Sequence, residues 1–272
     1  MSTRRSRSPL GVPEGIEIEF YRRASLAALD RRVESVRVQP ADFARNASAS
    51  AIADVIEQHR FVAARRRGKL LLLDTAGATL GIRFGMTGRL IVDGHAVIDK
   101  LEYSSGRNDE AWDRLVIRFA DGGFLAVRDQ RRLGNVELNP DEDALGPDVF
   151  DVSGAQLGVI LSASSRPLKA RLMDQSRLAG LGNLLTDEIL WRSSLDPERP
   201  ADSLDTAERR RLLHHLRRTL AQLTSRGGSH TGDLQDQRHD GGRCPRDGAE
   251  LMRSTVGGRT TYSCSEHQRA RD

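Results

Sequence analysis

The sequence predicts an α+β chain of several domains: an antiparallel β-sandwich with a flanking helix, then a helical domain, then a small β-hairpin. Three observations predict this fold class. Short β-type runs with turn residues between them fill residues 68–138, a period of about 3.6 residues dominates 153–226, and a Gly-Gly turn joins two β-type runs near the end. A chain of 272 residues, 38% hydrophobic and 29% charged, is long enough for two modest domains.

The first predicted element is an amphipathic helix from Gly15 to about Val33, where apolar residues recur at helical spacing. The strands of the sandwich follow as KLLLLDT, ATLGIRF, RLIVDG, DRLVIRF and FLAVRD. Turn residues such as AG, GMTG and DGG separate these runs, which is typical of antiparallel strands. We therefore expect the first helix to pack beside an antiparallel sandwich or barrel.

Four helices are predicted beyond the loop NPDEDALGPDV, within SGAQLGVILSAS, RPLKARLMDQ, NLLTDEILWRSS and DTAERRRLLHHLRRTLAQLTSR. The polar, Gly-rich stretch RGGSHTGDLQDQRHDGG is expected to be a loop. A β-hairpin turning at Gly257-Gly258 then carries Cys244 and Cys264 at the feet of its two arms. Two cysteines make no disulfide framework in a cytosolic protein, so they indicate a metal site shared with other ligands.

Composition excludes some classes of protein and permits one class of partner. No run reaches the roughly 18 to 20 apolar residues of a membrane span, and the basic N-terminus has no apolar stretch behind it, so we expect a cytoplasmic protein without a signal peptide. The net charge is +4, and the 42 basic residues comprise 39 Arg and only Lys69, Lys100 and Lys169. Arginine suits phosphate groups, so a polyanionic partner is allowed, and a lysine within a motif calls for an explanation.

The stretch RLAGLGNLLTDEILW holds the most specific local signal. Gly180 and Gly182 allow a tight turn, and Asn183 lies at the start of the next helix, whose free N–H groups suit a phosphate. An ordinary helix corner in which Asn183 is the N-cap explains the same residues.

Six motifs in fixed order separate these alternatives: VPEGIE, RRRGKLLLL, GMTGRL, RDQRRLGN, DQSRLAGLGNLLTDEIL and the terminal CPRDG…GGRTTYSCSEHQ. Together they resemble the formamidopyrimidine-DNA glycosylase and endonuclease VIII family of base-excision repair enzymes, from about Val12 to Gln268. The resemblance implies a catalytic β-sandwich over 13–140, a helix–two-turn–helix DNA-binding domain over 150–226 and a zinc-finger hairpin over 240–270.

The resemblance also implies a bifunctional DNA glycosylase and apurinic/apyrimidinic lyase with an N-terminal proline nucleophile, here Pro13. An α-amine has a pKa near 8, so much of it is neutral and nucleophilic at pH 7. Glu14 matches the acid beside the nucleophile, Glu17 a second acid, and Lys69 a lysine that contacts phosphates beside the lesion. A solvated charge in a turn is the alternative for Lys69.

Pro13 departs from the family pattern because twelve residues precede it, which makes its nitrogen an amide without a usable lone pair. Val12 offers one explanation, because GUG encodes valine internally but can initiate translation in bacteria, and removal of that initiator leaves Pro13 first. The alternative is a catalytically inactive reader of damaged or abasic DNA with a basic arm containing Arg4, Arg5 and Arg7. RNA binding by the same fold is a third hypothesis.

Base removal requires the damaged nucleotide to leave the helix, and the resemblance implies residues that replace it. Met86 matches a wedge, and Arg132 and Leu133 match the loop that supports the orphaned opposite base. A turn role for Met86 and a core role for Leu133 are the alternatives. Lys169, Asn183 and Arg259 match phosphate-contacting positions.

The terminal hairpin resembles a four-cysteine zinc finger that keeps two of its cysteines. Cys244, Asp247, Cys264 and His267 are the expected ligands of one structural Zn²⁺, since zinc accepts thiolate, imidazole and carboxylate. A hairpin without metal is the alternative, and His239 is a weak substitute for Asp247. Two further histidines, His214 and His215, are expected to be solvated or half-buried on an Arg-rich helix.

The expected partner is double-stranded DNA that contains oxidised bases or abasic sites, bound by a monomer in the bacterial cytoplasm at the nucleoid, with no membrane contact. The start PEG and the short loop between Arg226 and Cys244 favour the endonuclease VIII branch and oxidised pyrimidines.

Overall fold

A computed structural model describes residues 13–98, 101 and 109–268. The chain divides into two compact units, Val12–Leu145 and Gly146–Asp272. The predicted hairpin over 240–270 therefore shares a unit with the helices over 150–226. The expected basic arm lies within residues 1–12, outside the described residues. No helix in the described part of the chain is long and apolar enough to cross a membrane.

The first unit contains two antiparallel sheets and two helices. The helices are α1 (Gly15–Ser25) and α2 (Ala49–Ile56), and the strands are β1 (Val33–Val38), β2 (Ala63–Arg67), β3 (Leu70–Asp74), β4 (Thr79–Arg83), β5 (Arg89–Val92), β6 (His95–Ala96), β7 (Asp113–Phe119), β8 (Phe124–Arg128) and β9 (Asn135–Leu138). One sheet has the order β1-β7-β8-β5-β6 and the other β2-β3-β4-β9. The predicted β-sandwich is confirmed.

One apolar core joins the two sheets. Leu71 and Leu73 of β3 share it with Leu125 and Val127 of β8. Leu70 and the intervening Leu72 are also buried, and α1 packs against β2 and β3. The run of four leucines is apolar at every position because both faces of β3 are covered.

The second unit contains four helices and the hairpin: α3 (Gly154–Ser162), α4 (Leu168–Leu172), α5 (Asn183–Ser193), α6 (Thr206–Arg226), β10 (Leu251–Val256) and β11 (Arg259–Cys264). Capping boxes begin α3 at Ser153 and α6 at Asp205, and Gly227 ends α6 in the left-handed conformation. The four predicted helices and the turn at Gly257-Gly258 are confirmed.

Three sequence expectations needed correction. The first helix ends at Ser25 and not near Val33, because Val33–Val38 pairs with β7 as a strand. The strand Ala63–Arg67 was missed, since its three arginines hide the apolar alternation. The helix predicted within RPLKARLMDQ is only Leu168–Leu172, because Pro167 precedes it and a loop of polar turns follows.

Candidate functional site

Pro13 and Glu14 lie directly before α1, and both are buried. The carboxylate of Glu17 accepts a 2.9 Å hydrogen bond from the backbone N–H of Glu14, so this second acid caps the helix start. Further along α1, the Tyr21 hydroxyl donates to the carbonyl of Gly88 at 3.2 Å. The helix that carries Pro13 is therefore fixed to the turn that follows β4.

Lys69 lies in the two-residue turn between β2 and β3, beside Gly68 at φ +56°. Its side chain is half-buried. The two strands that Lys69 joins both pack against α1, so Lys69 and α1 belong to the same part of the first unit. A lysine at such a turn can reach a phosphate without breaking the sheet.

Met86 and Leu133 project from two loops that touch each other. Met86 is 37% exposed and Leu133 is 42% exposed, so neither is a core residue. A Cβ placed on Gly85, at φ +57°, would lie 2.5 Å from the backbone carbon of Leu133, and this close approach requires glycine. Two exposed apolar side chains on adjoining tips suit insertion between bases.

A buried carboxylate, which sequence reasoning missed, joins these two loops. Asp129 is fully buried, accepts a hydrogen bond from the Thr87 hydroxyl, and accepts another at 2.8 Å from the Gly134 N–H. Thr87 follows Met86 and Gly134 follows Leu133, so Asp129 fixes both tips from below. The pair DQ within RDQRRLGN is the sequence feature that could have indicated Asp129.

Arg132 is exposed and has φ +54°, a left-handed conformation that is rare for a residue other than glycine. Its neighbour Arg131 is equally exposed in the same loop. Two guanidinium groups are thus available beside Leu133, whereas the sequence singled out only Arg132.

The connection between α4 and α5 is shaped by one glutamine side chain. Gln175 Nε2 donates to the carbonyls of Met173 and Leu181 at 2.8 and 2.9 Å, and its Oε1 accepts from the Gly180 N–H at 3.0 Å. The N-cap of α5 is Gly182, so Asn183 is the first helical residue and not the cap. Its Oδ1 is buried and has no hydrogen-bond partner among the described residues, which leaves this amide available to a ligand.

Lys169 does not have the exposure that a phosphate contact needs. Its ammonium group is fully buried and lies 2.7 Å from Asp187 Oδ1. It also donates to the carbonyl of Thr260 at 3.1 Å and to the hydroxyl of Thr261 at 2.8 Å. These contacts match the three donors of an ammonium group, so the expected phosphate role is corrected to a structural one.

Asp187 was the second residue that sequence reasoning missed. Besides Lys169, it accepts from the Arg238 guanidinium and from the Tyr262 N–H at 3.3 Å. Through these contacts it joins α4, α5, the loop after α6 and strand β11. Its place in LTDEIL, beside the phosphate motif, gave no sign of this role.

Arg259 is exposed at the tip of the hairpin, as the sequence predicts. Gly257 and Gly258 have φ +58° and +74°, and a two-residue hairpin turn with positive φ at both positions favours glycine. A Cβ on Gly257 would lie 2.9 Å from Cβ of Ala170, so the tip packs against α4. The Lys169 contacts to Thr260 and Thr261 hold the strand immediately after Arg259.

The four predicted metal ligands come together at the base of the hairpin, with one ligand atom of each within 4.8 Å of the others. Cys244 Sγ lies 3.7 Å from His267 Nδ1, and Cys264 Sγ lies 3.3 Å from Asp247 Oδ2. Zn–S bonds of about 2.3 Å and Zn–N bonds of about 2.0 Å give tetrahedral edges of roughly 3.3 to 3.8 Å. The donor set and its spacing therefore fit a metal ion.

Trp191 supports this cluster and was not predicted to do so. Its indole N–H donates to Cys244 Sγ at 3.3 Å, and its carbonyl lies 3.3 Å from His267 Nε2. Donation from Nε2–H to this carbonyl would make Nδ1 the ligand atom once a metal ion replaces the proton that Nδ1 shares with Asp247, 2.7 Å away.

The protonation of the cluster follows from its burial. Burial raises the pKa of the Cys264 thiol to about 11. The hydrogen bond from His267 holds the pKa of the Asp247 carboxyl well below its usual range, against a smaller opposing effect of burial. A cation bound here would have to displace the proton of the Cys264 thiol.

Comparisons with known proteins agree with this geometry. The formamidopyrimidine-DNA glycosylase N-terminal domain matches residues 12–136, and the H2TH domain of the same enzyme matches residues 145–234. A solved structure of the Lactococcus lactis formamidopyrimidine-DNA glycosylase, bound to DNA with an abasic site, has a TM-score of 0.81 and 24% identity, and covers 94% of this chain and 100% of its own.

Curated relatives are closer in sequence. A formamidopyrimidine-DNA glycosylase of Heliobacterium modesticaldum is 32% identical and covers 95% of this chain and 100% of its own length. A Cereibacter sphaeroides protein of the same name is also 32% identical with the same coverage. These names give no support to the expected preference for the endonuclease VIII branch. By sequence, domain matches and fold, the chain belongs to the formamidopyrimidine-DNA glycosylase family.

Proposed function

We propose that the chain is a base-excision repair DNA glycosylase and apurinic/apyrimidinic lyase that uses the nitrogen of Pro13 as its nucleophile. Family membership supports the activity class, and the placement of Pro13 and Glu14 at the buried start of α1 supports the choice of nucleophile. The substrate class is double-stranded DNA with oxidised bases or abasic sites, as in the DNA complexes of the structural relatives. We place this activity in the bacterial cytoplasm at the nucleoid.

The reaction requires a free amine at Pro13, so we propose a mature form that begins at this residue. The family match begins at residue 12, so Pro13 lies at the start of the matched region. The neutral amine attacks the sugar C1′, and the damaged base departs with its bonding electrons. The new C1′–N group then loses the amine proton while the C1′–O4′ bond breaks and O4′ takes up a proton, which leaves an iminium ion on the opened sugar. Loss of the C2′ proton then expels the 3′ phosphate, and a second elimination expels the 5′ phosphate.

Glu14 is proposed to protonate the opening sugar, and Lys69 to bind the phosphates beside the lesion. The position of Glu14 suits this role, because its buried carboxyl directly follows Pro13 at the start of α1. Met86 and Leu133 fill the gap left by the extruded nucleotide, with Arg132 at the opposite base. Asn183 and Arg259 hold the DNA backbone.

The base of the hairpin is proposed to hold one structural Zn²⁺ through Cys244, Asp247, Cys264 and His267. When bound, the ion supplies crosslinking between the two arms of the hairpin. Metal analysis of the purified protein should give about one equivalent of zinc, which His267→Ala should abolish. His239→Ala is the matched control, because His239 is exposed and lies outside the cluster. Zinc retained in His267→Ala would contradict the ligand assignment.

A catalytically inactive reader of abasic DNA is the second candidate, favoured by the twelve residues that make the Pro13 nitrogen an amide. Borohydride reduction on abasic duplex DNA separates the two candidates, because it traps an iminium ion covalently. We would compare two proteins, one beginning at Pro13 and one carrying residues 1–12, with each N-terminus verified by mass spectrometry.

The Pro13-start protein should form the trapped adduct and the longer protein should not. A Pro13-start protein that binds abasic DNA without trapping would overturn the enzyme proposal and establish the reader. Equal trapping by both proteins would show that another amine is the nucleophile.

A further inference from the structure

Helix α6 has two chemically different faces. Its leucines pack inward, with Leu212, Leu216 and Leu223 fully buried. The opposite side carries exposed Arg210, His214, Arg217 and Arg218, at the i, i+4, i+7 and i+8 spacing of one helix face. We call these four residues the α6 basic face.

The arginines of α6 fall into two groups by their partners. Arg209 and Arg211 donate to carbonyl oxygens of Leu204 and Ser193 at 2.9 and 2.7 Å, and Arg226 pairs with Asp233 at 2.6 Å. These three are used within the fold.

The remaining three arginines form the α6 basic face with His214. Within the described part of the chain, neither Arg210, Arg217 nor Arg218 forms an ion pair with a carboxylate. Arg217 makes only a 3.3 Å contact to the Val152 carbonyl. The one acid of α6, Glu208, is buried and pairs with Arg199 at 2.7 Å. Among the described residues, no carboxylate therefore balances the three positive charges of this face.

The surroundings of this face are also positive. Burial lowers the pKa of the neighbouring His215, and the charges of His214, Arg246, Arg192 and Arg218 lower it further. Arg210, Leu213, His214, Arg217 and Arg218 line a shallow depression of about 510 Å³. From Arg210 to Arg218 the helix rises about 12 Å, or roughly three phosphate steps of a DNA strand at 3.4 Å each.

The α6 basic face lies away from Asn183, one of the two phosphate contacts proposed above for this unit. The Arg211 contact with Ser193 places this part of α6 at the C-terminal end of α5. Asn183 is at the other end of that 11-residue helix, about 15 Å along its axis. A duplex held at Asn183 therefore leaves a separate basic surface on the same unit.

We propose that the α6 basic face is a second DNA-binding site, which holds the phosphate backbone of undamaged duplex DNA without reading its sequence. Guanidinium groups suit phosphate oxygens, and contacts of this kind supply non-specific affinity and let a protein slide or transfer between duplex segments. The site goes beyond the excision chemistry, because it needs neither Pro13 nor a lesion.

The test replaces three arginines together, as Arg210→Gln, Arg217→Gln and Arg218→Gln, in the protein that begins at Pro13. Binding to a long undamaged duplex is measured over a range of salt concentrations. Losing three phosphate contacts should lower the slope of log affinity against log salt by roughly 2 to 3 and weaken binding about 10-fold at low salt. Excision or trapping on a short lesion duplex of about one helical turn should stay within about two-fold.

Two control proteins make the result specific. Arg→Lys substitutions at the same three positions should restore most of the slope, since the charge returns. The second control removes three exposed arginines from the loop before β1, from β1 and from β7, as Arg32→Gln, Arg37→Gln and Arg118→Gln. It should lower the salt slope less than the α6 variant does. An equal loss in this second control would overturn the assignment to α6.

Other outcomes would also overturn the proposal. An unchanged salt slope on long duplex DNA, with the variant shown to be folded by circular dichroism, would remove the site. Loss of binding to a duplex RNA of equal length, with DNA binding intact, would assign the face to RNA. Loss of lesion binding on the short duplex would instead place these arginines in the excision site, and would leave the proposed glycosylase activity standing.

Discussion

Lys169 and the α6 basic face show two opposite uses of positive charge within one unit. Lys169 is fully buried, with its ammonium on Asp187, Thr260 and Thr261. Arg210 and Arg218 of the α6 basic face are exposed and have no carboxylate partner within the described residues. Both kinds of residue lie on helices of the same unit, so the secondary structure does not distinguish them.

The partner of a cation, and not the sequence motif that contains it, decides whether the cation stabilises the fold or binds a ligand. Removing an ammonium group from water is costly unless a carboxylate and hydrogen-bond acceptors replace the water, as they do around Lys169. A guanidinium without such partners keeps its hydration until a phosphate replaces it. Buried cations should therefore govern folding, and exposed cations should govern binding.

The largest change in the free energy of unfolding is expected when the buried cation, Lys169, is replaced. Lys169→Met leaves Asp187 with Arg238 as its one cationic partner among the described residues. Breaking a buried ion pair costs about 3 kcal/mol or more of the free energy of unfolding. Urea unfolding followed by Trp191 fluorescence measures the loss, with Trp112→Phe in both proteins to remove the other tryptophan.

Arg218→Met is the matched control for this prediction, because it removes an exposed cation from the same unit. It should change the free energy of unfolding by no more than about 0.5 kcal/mol. Similar losses of unfolding free energy in the two variants would contradict the distinction between buried and exposed cations.

The same contrast explains what the sequence predicted and what it did not. The helices α3, α5 and α6 and the hairpin turn are local features, fixed by capping residues, apolar period and the Gly257-Gly258 pair. The cluster of candidate metal ligands was also predictable, because two residue pairs with equal spacing flank one hairpin. Local patterns suffice where the contacts themselves are local.

The burial of Lys169 depends on contacts 91 and 92 positions away, so no local pattern reports it. The strand Ala63–Arg67 is likewise defined by its pairing with Leu70–Asp74, and its own composition is polar. Asp129 joins two loops separated by more than 40 positions. Sequence motifs named the loop tips correctly as exposed residues but not the buried groups that hold them.

Asp129 is a buried carboxylate, and removing one of its hydrogen bonds should lower the free energy of unfolding less than replacing Lys169 does. Thr87→Val keeps the side-chain shape but removes the hydroxyl that donates to this fully buried carboxylate. A hydrogen bond to a buried charged group contributes about 2 kcal/mol, so the variant should lose about this much of the free energy of unfolding of its unit. Excision should also slow, because the tips that carry Met86 and Leu133 lose their common support.

Thr79→Val is the control, since the Thr79 hydroxyl donates to Asp74 at 2.7 Å at a partly exposed strand end. Loss of this hydrogen bond should lower the free energy of unfolding by less than about 1 kcal/mol and leave excision unchanged. Equal effects on excision in the two variants would show that Asp129 has no special relation to the loop tips.

The smallest expected effect concerns Glu19, a partly exposed carboxylate among cations. Burial raises its pKa, but hydrogen bonds from Arg22 and Arg23 and the charge of Arg66 outweigh burial and lower the pKa from 4.5 to about 2. A lowered pKa in the folded state means that the ionised form stabilises the fold above pH 4.5, and that this stabilisation is lost as the pH falls toward 2. Solvent screening limits its size to about 0.5 kcal/mol at pH 7.

Glu19→Gln should therefore unfold slightly more easily than the parent at pH 7, and the difference should vanish as the pH approaches 2. Urea unfolding at a series of pH values measures it. Glu34→Gln, at an exposed position of β1, should show no such difference at any pH. A penalty for Glu19→Gln as large as that for Lys169→Met would mean that partly exposed ion pairs stabilise this fold as much as buried ones, contrary to the distinction between Lys169 and the α6 basic face.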